Sequence, residues 1–155
     1  MLPMSRESIA SLLYVASWVL VIVIALFARI NVPALGAAAK LLGGLIFLCG
    51  MLLFGWAARY LKAGFLGNIE PVSDTLVAQG PYRLVRHPLY LGTLLSTIGL
   101  VVGLRSLWGL VTVFVFFLPA AIYRARLEER AVARKFGDDW DAYVSRTSFL
   151  FPWAW

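Results

Sequence analysis

The chain has 155 residues, of which 61% are hydrophobic and only 14% charged, with a formal net charge of +6. A soluble domain of that size needs far more polar surface around its core, so the excess apolar residues must face lipid. The basic residues flank apolar runs instead of forming a patch, which argues against nucleic acid and for membrane topology and anionic headgroups.

The length fits one domain, 1–155. Its single cysteine, Cys49, sits inside an apolar run. No internal disulfide or cysteine metal site can be built from it, no metal is expected, and it reads as a small packed hydrophobe.

Four apolar runs are predicted as spanning helices, at about 9–28, 35–58, 89–104 and 107–122. The first follows a segment with Arg6 as its one basic residue and no small-residue cleavage site, so it reads as a retained helix and not a signal peptide. Lys40 interrupts the second near its start. The last two are near the lower length limit for a span, and the short Arg105–Ser106 link makes them a tight helical hairpin. The runs are continuously apolar, not alternating, which excludes a β-barrel. The predicted fold is all-α and polytopic.

With four spans, the N-terminus, the 59–88 loop and the C-terminal segment 123–155 share one side. That side holds Arg6, Arg59, Lys62, Arg83, Arg86, Arg124, Arg126, Arg130, Arg134, Lys135 and Arg146; the other holds Arg29, Lys40 and Arg105. Eleven against three predicts that both termini are cytoplasmic. All eight acidic residues and the only histidine lie on the same side. The chemistry is therefore expected there, in a pocket built by the 59–88 loop and the C-terminal helices.

Within the second run, Gly43, Gly44, Gly50 and Gly55 form no clean GxxxG, a weak signal for close packing. Past the fourth span, 123–136 should stay helical into water until Gly137, with Asp138 or Asp139 capping a short helix through Tyr143. Phe149, Leu150, Phe151, Trp153 and Trp155, with Pro152 barring a regular helix, read as an interfacial aromatic tail.

Three polar clusters stand out. In the first, Gly80-Pro81 signals a turn and Pro88 suits the first turn of a helix. His87 would then sit at that helix's N-terminus, where backbone N–H groups favour an anion, with Arg86 adding a fixed charge. The same residues could equally serve as a helix cap and a headgroup anchor. The second cluster places Arg124 and Glu128 on one helix face, as a reactive pair or as a surface ion pair. Glu128-Glu129 beside anionic lipid is costly unless a cation, such as a sulfonium or amine ligand, lies next to it. The third, from Lys135 to Tyr143, is an amphipathic interfacial helix.

These blocks, GPYRLVRHPLYLG, RARLEER and FGDDWDAY in that order, resemble the membrane-embedded isoprenylcysteine carboxyl methyltransferase family, and more loosely the phospholipid N-methyltransferases. The resemblance covers roughly residues 70–152. It implies S-adenosylmethionine as cofactor, bound in a cytoplasmic pocket, and a lipophilic acceptor entering from the bilayer. By position it implies cofactor contacts from Thr75, Leu76, Val77, Tyr82, His87, Pro88, Leu89, Tyr90 and Glu128. It also implies that Arg124 faces the acceptor, so that Arg124 and Glu128 form the catalytic pair. Asp74 is acidic where the family carries a polar residue. Carboxyl O-methylation is the family's activity, with phospholipid amine or thiol methylation as alternatives. A nicotinamide-dependent membrane reductase and a non-catalytic tetraspan protein are the competing classes.

Overall fold

The computed structural model describes residues 5–28, 36–61 and 75–152. Arg29, Lys62, Asp74, Trp153 and Trp155 lie outside the described residues. The elements are α1 (Arg6–Phe27), α2 (Gly36–Leu61), a 3-10 turn (Gly80–Arg83), α3 (Pro88–Gly103), α4 (Leu107–Phe136) and α5 (Asp138–Val144). There is no β-strand among the described residues, only an isolated bridge between Val85 and Ser148.

Helices α1, α2 and α4 are long and apolar enough to cross a membrane, while α3 has 16 residues. At 1.5 Å per residue α3 is about 24 Å long, short of the ~30 Å hydrocarbon core. Its position explains the shortfall. It is the inner helix, burying Leu91, Leu94, Thr97 and Val101, whereas Leu12, Leu13, Leu41 and Leu52 on α1 and α2 stay exposed to lipid.

The link after α3 turns sharply, as expected, with Arg105 in the left-handed region at φ 58°. The Ser106 hydroxyl accepts from Gly109 N and donates to the Ala28 carbonyl, which ties the far end of α1 to this turn. The helices on either side of the turn do not form the main pair, however. Helix α3 packs along α2, and α4 leans on α1.

The reason lies in glycine spacing. Gly43 and Gly50 on α2 face Gly99, Gly103 and Ser96 on α3 so closely that an added Cβ would collide with backbone. A Cβ on Gly92 would come within 2.8 Å of Phe54 N, and one on Gly99 would strike Phe47 N. On α2 the facing glycines, 43 and 50, are seven apart, a coiled-coil repeat, while α3 meets them with Gly92, Ser96, Gly99 and Gly103, the last two a four-residue GxxxG. Gly44 and Gly55 face open space.

Helix α4 contains one π turn, Val113–Phe117, just before Pro119. The wider turn accommodates a ring that offers no N–H to the ladder. The helix runs 30 residues, about 45 Å, so its C-terminal part leaves the bilayer carrying Arg124, Glu128 and Glu129. Gly137 ends it at φ 53°, donating to the Ala133 carbonyl. The expected aspartate cap is absent. Gly137 is itself the N-cap of α5, and Asp138, Asp139 and Asp141 fill its first turn, near the positive end of the helix dipole.

The tail also departs from expectation. Arg86 N donates to the Ser148 carbonyl and Ser148 N to that of Leu84, supplying partners for a loop backbone that would otherwise lack them. Leu150 is buried in the core and Phe149 packs on His87 at 5.0 Å, so of the two tail aromatic residues described only Phe151 faces outward.

Candidate functional site

His87 is the N-cap of α3, Pro88 occupies its first turn, and Tyr90 follows on the same opening turn. The His87 ring stands edge-on to Tyr90, with centroids 5.6 Å apart, as well as to Phe149. His87 is 8% exposed. Its Nε2 lies 3.4 Å from Glu129 Oε1 yet makes no hydrogen bond among the described residues.

Each of the two adjacent glutamates on α4 has its own partners. Tyr90 donates to Glu128 Oε1 at 2.5 Å, and Arg124 Nε reaches the same oxygen at 3.4 Å. Glu129 accepts from Arg86 Nε at 2.7 Å and from Arg126 Nη1 at 2.9 Å. Burial raises the Glu129 carboxyl pKa, but His87 and Arg86 outweigh it and hold that carboxyl at about 2. Glu129 is thus ionised at neutral pH and very weakly basic. The cation that this like-charged pair required comes from the protein itself.

Arg86 is no headgroup anchor. Its side chain is buried, and besides Glu129 it donates to the carbonyls of Val144 and Thr147, pinning the tail to the loop. The Tyr143 hydroxyl donates to the Tyr82 carbonyl at 2.7 Å. Burial pushes the Tyr82 phenol well above its usual range and takes Tyr143 up to about 12, so both stay protonated donors.

These groups converge on a cavity of about 160 Å³ where α3, α4 and α5 meet the end of α2. Of the residues expected to hold a cofactor, Leu76, Val77, Tyr82, His87, Leu89, Tyr90 and Glu128 line it. Thr75 is exposed and off the lining, Pro88 is buried within the helix turn, and Arg124 stands beside Glu128 without reaching the wall. The sequence reading missed Leu61, Val132, Trp140 and Tyr143, while Arg86 and Glu129, expected as a fixed charge for an anion and as half of a pair needing a cationic ligand, line the cavity paired with each other. Trp140 and Tyr143 are three apart on one face of a short helix, and that spacing was the available signal. Nothing marked Leu61.

A family model described as phospholipid methyltransferase matches residues 33–139. A cobalt-zinc-cadmium resistance protein of Cupriavidus metallidurans is 40% identical over 100 residues, 63% of this chain and 41% of its own length. Methanethiol S-methyltransferase 1 of Bradyrhizobium diazoefficiens is 35% identical over 74 residues, 46% of this chain and 24% of that protein. A nickel-cobalt-cadmium resistance protein of Alcaligenes xylosoxydans xylosoxydans is 32% identical over 100 residues, 63% and 42% of the two chains. The chain spans less than half the length of each of these relatives.

Proposed function

Because the chain belongs to the phospholipid methyltransferase family, we propose that it is an integral membrane enzyme that moves a methyl group from S-adenosylmethionine to a lipophilic acceptor with an anionic nucleophile. The observation that carries this reading is the convergence of Tyr82, His87, Tyr90 and Glu128 with apolar Leu76, Val77 and Leu89 on one cavity.

The lining suits the cofactor. His87 Nε2, buried with only a long 3.4 Å approach to Glu129, can take a polar ligand atom. The Glu128 carboxylate attracts a sulfonium or ammonium, and Leu76 and Val77 offer an apolar face for a base. About 160 Å³ lies below the usual range for whole small-molecule sites, so binding must widen the cleft. When bound, S-adenosylmethionine supplies an electrophilic methyl group on a positively charged sulfur. The protein's task is positioning. Tyr90 and Arg124 fix the Glu128 carboxylate, and His87 and Tyr82 close the cavity around it.

The choice of acceptor follows from proton bookkeeping. A carboxylate is already ionised at pH 7 and needs no base, only a cation such as Arg124 to hold it. An amine must first lose a proton, and Glu129 is too weak a base while Glu128 is tied to Tyr90 and Arg124. Carboxyl O-methylation of an isoprenylcysteine-like acceptor is therefore the first reading. Thiol S-methylation is the second, supported by the relative that acts on methanethiol. Radiolabelled methyl transfer by purified protein to farnesylcysteine derivatives, alkyl thiols and phosphatidylethanolamine tests them together. Transfer to the last alone would reverse the order. Binding of S-adenosylhomocysteine against NADPH tests the class itself, and preference for NADPH would indicate a reductase.

His87→Ala and Tyr90→Ala are expected to weaken S-adenosylhomocysteine binding about tenfold each, while the protein still folds in detergent; unchanged affinity in both would reduce this block to a helix start. For orientation, the eleven-to-three distribution of basic residues supports a topology with both termini in the cytoplasm. A reporter active only outside the cytoplasm, fused after Trp155, should stay silent, and an active fusion would reverse the topology.

A further inference from the structure

A second cavity, about 260 Å³, lies within the helical layer and is lined by Trp18, Phe47, Met51, Phe54 and Thr97 among others. It opens between α1 and α2, with α3 as its floor. The polar groups in it are spent. Thr93, Ser96 and Thr97 each donate to a carbonyl one turn back on α3, and Trp18 Nε1 donates to Thr97 Oγ1. What the cleft presents is a surface suited to hydrocarbon. Along α3 it begins at Thr93, one turn from Tyr90 in the charged cavity, about 5 Å at 1.5 Å per residue.

Tyr14 of α1 packs beside Tyr90, which lines the charged cavity. Its ring is edge-on to Tyr90 at 5.4 Å, packs on Phe117 at 5.3 Å, and lies 5.5 Å from the Arg124 guanidinium carbon. It therefore touches both groups that hold Glu128 Oε1. It also precedes residues 33–139, where the family match falls.

We propose that Tyr14 is a positioning residue that seats the acceptor. Its ring packs against the Glu128–Arg124–Tyr90 group, and the lipid-facing cleft one turn along α3 takes the acceptor's apolar chain. This rests on the methyltransferase reading and deepens it, naming the acceptor as a single-chain amphiphile with its nucleophile at the Tyr14 ring. In the transfer the sulfonium S–CH3 bond breaks as the acceptor's O–CH3 or S–CH3 bond forms. The bonding electrons stay on the donor sulfur, which becomes a neutral thioether; a carboxylate acceptor becomes a neutral ester, and a thiol, which reacts as its thiolate after giving its proton to solvent, becomes a neutral thioether.

The test uses two acceptor series, N-acetyl-S-alkylcysteines and n-alkanethiols, each from four to twelve carbons, on the full chain in detergent, together with S-adenosylhomocysteine affinity. In the unsubstituted protein kcat/KM should rise at least tenfold with chain length. Tyr14→Ala should flatten that rise, with KM for the acceptor changing more than kcat, and Tyr14→Phe should restore it. Met51→Trp fills the cleft from an exposed position and covers the case in which Tyr14→Ala fails to fold. It should abolish the long-chain advantage. Methyl transfer with an unchanged chain-length profile in Met51→Trp, or in a folded Tyr14→Ala, overturns this inference and leaves the methyltransferase reading standing. Absence of methyl transfer to any member of either series by the unsubstituted protein overturns both.

Discussion

Arg124→Ala should lower turnover on a carboxylate acceptor by about a hundredfold, roughly 2.7 kcal/mol of transition-state stabilisation, while S-adenosylhomocysteine affinity changes far less. The expectation follows from where the side chain sits. Arg124 is 8% exposed, stacks against Tyr14, and points its Nε at Glu128 from just beyond the span. An exposed pair at this spacing would contribute a few tenths of a kcal/mol and leave catalysis intact. Here removal of the guanidinium deletes the cation nearest a negatively charged acceptor and leaves Glu128 to repel it. Arg124→Lys should recover only part of the loss, because an ammonium cannot present two parallel N–H groups to a carboxylate. Glu128→Gln makes the contrast. It removes the charge on the cavity wall and should weaken cofactor binding first. Steady-state kinetics beside equilibrium binding separate the two, and normal turnover by Arg124→Ala on a carboxylate substrate would end its role. An amine acceptor would give the reverse pattern, a mild Arg124→Ala effect and activity that climbs with pH.

How much of the site could be read from the sequence depends on how each residue is marked. The block from Gly80 to Gly92 carries its own local signals, a Gly-Pro turn and a proline at N1, and the structure puts Tyr82, His87, Leu89 and Tyr90 on one cavity. Glu128 was legible as half of a costly like-charged pair. What the sequence could not disclose is how that pair is resolved. Arg86, forty-three positions from Glu129, is brought to 2.7 Å from it by the turn at Gly80 and by the tail folding back over Val85. A long-range contact of this kind leaves no periodicity. The aromatic tail was misread for the same reason, since composition suits Phe149 equally to a membrane surface and to stacking on His87 and Arg126. Tyr14 carried no signal at all, being one apolar-helix tyrosine among many lipid-facing residues.

The fold shows the same division. Apolar run lengths locate the helices, and Gly137 stops α4 where a φ of 53° with a ψ of −122° favours a residue without a Cβ. Pairing was not legible from loop length. The two-residue link suggested that α3 and α4 are partners, yet small residues decide contact in a bilayer, where apolar side chains gain nothing by leaving lipid.

That argument gives the largest expected effect on stability. Gly50→Leu and Gly99→Leu should prevent α2 and α3 from closing, and either should cost at least the ~1–3 kcal/mol of an overpacked core. The atoms in the way are backbone, Ser96 N and the Gly92 carbonyl for Gly50 and Phe47 N for Gly99, and these cannot turn aside as a side chain would. Gly44→Leu and Gly55→Leu are the matched controls on α2. Nothing lies within 4 Å of a Cβ at either position, so the same substitution there should be neutral or stabilise the helix by about 0.5–1 kcal/mol. The measurement is thermal aggregation of purified protein in one detergent, with all four variants side by side. If hydrophobicity alone drove α2 against α3, leucine would be tolerated equally at all four sites. If the seven-residue seam does, Gly50 and Gly99 should fail and Gly44 and Gly55 should not. Loss of the seam should also take S-adenosylhomocysteine binding with it, because α3 carries His87 and Tyr90 and is positioned chiefly by α2. A Gly99→Leu protein that melts normally and binds normally would remove the seam from the account of this fold.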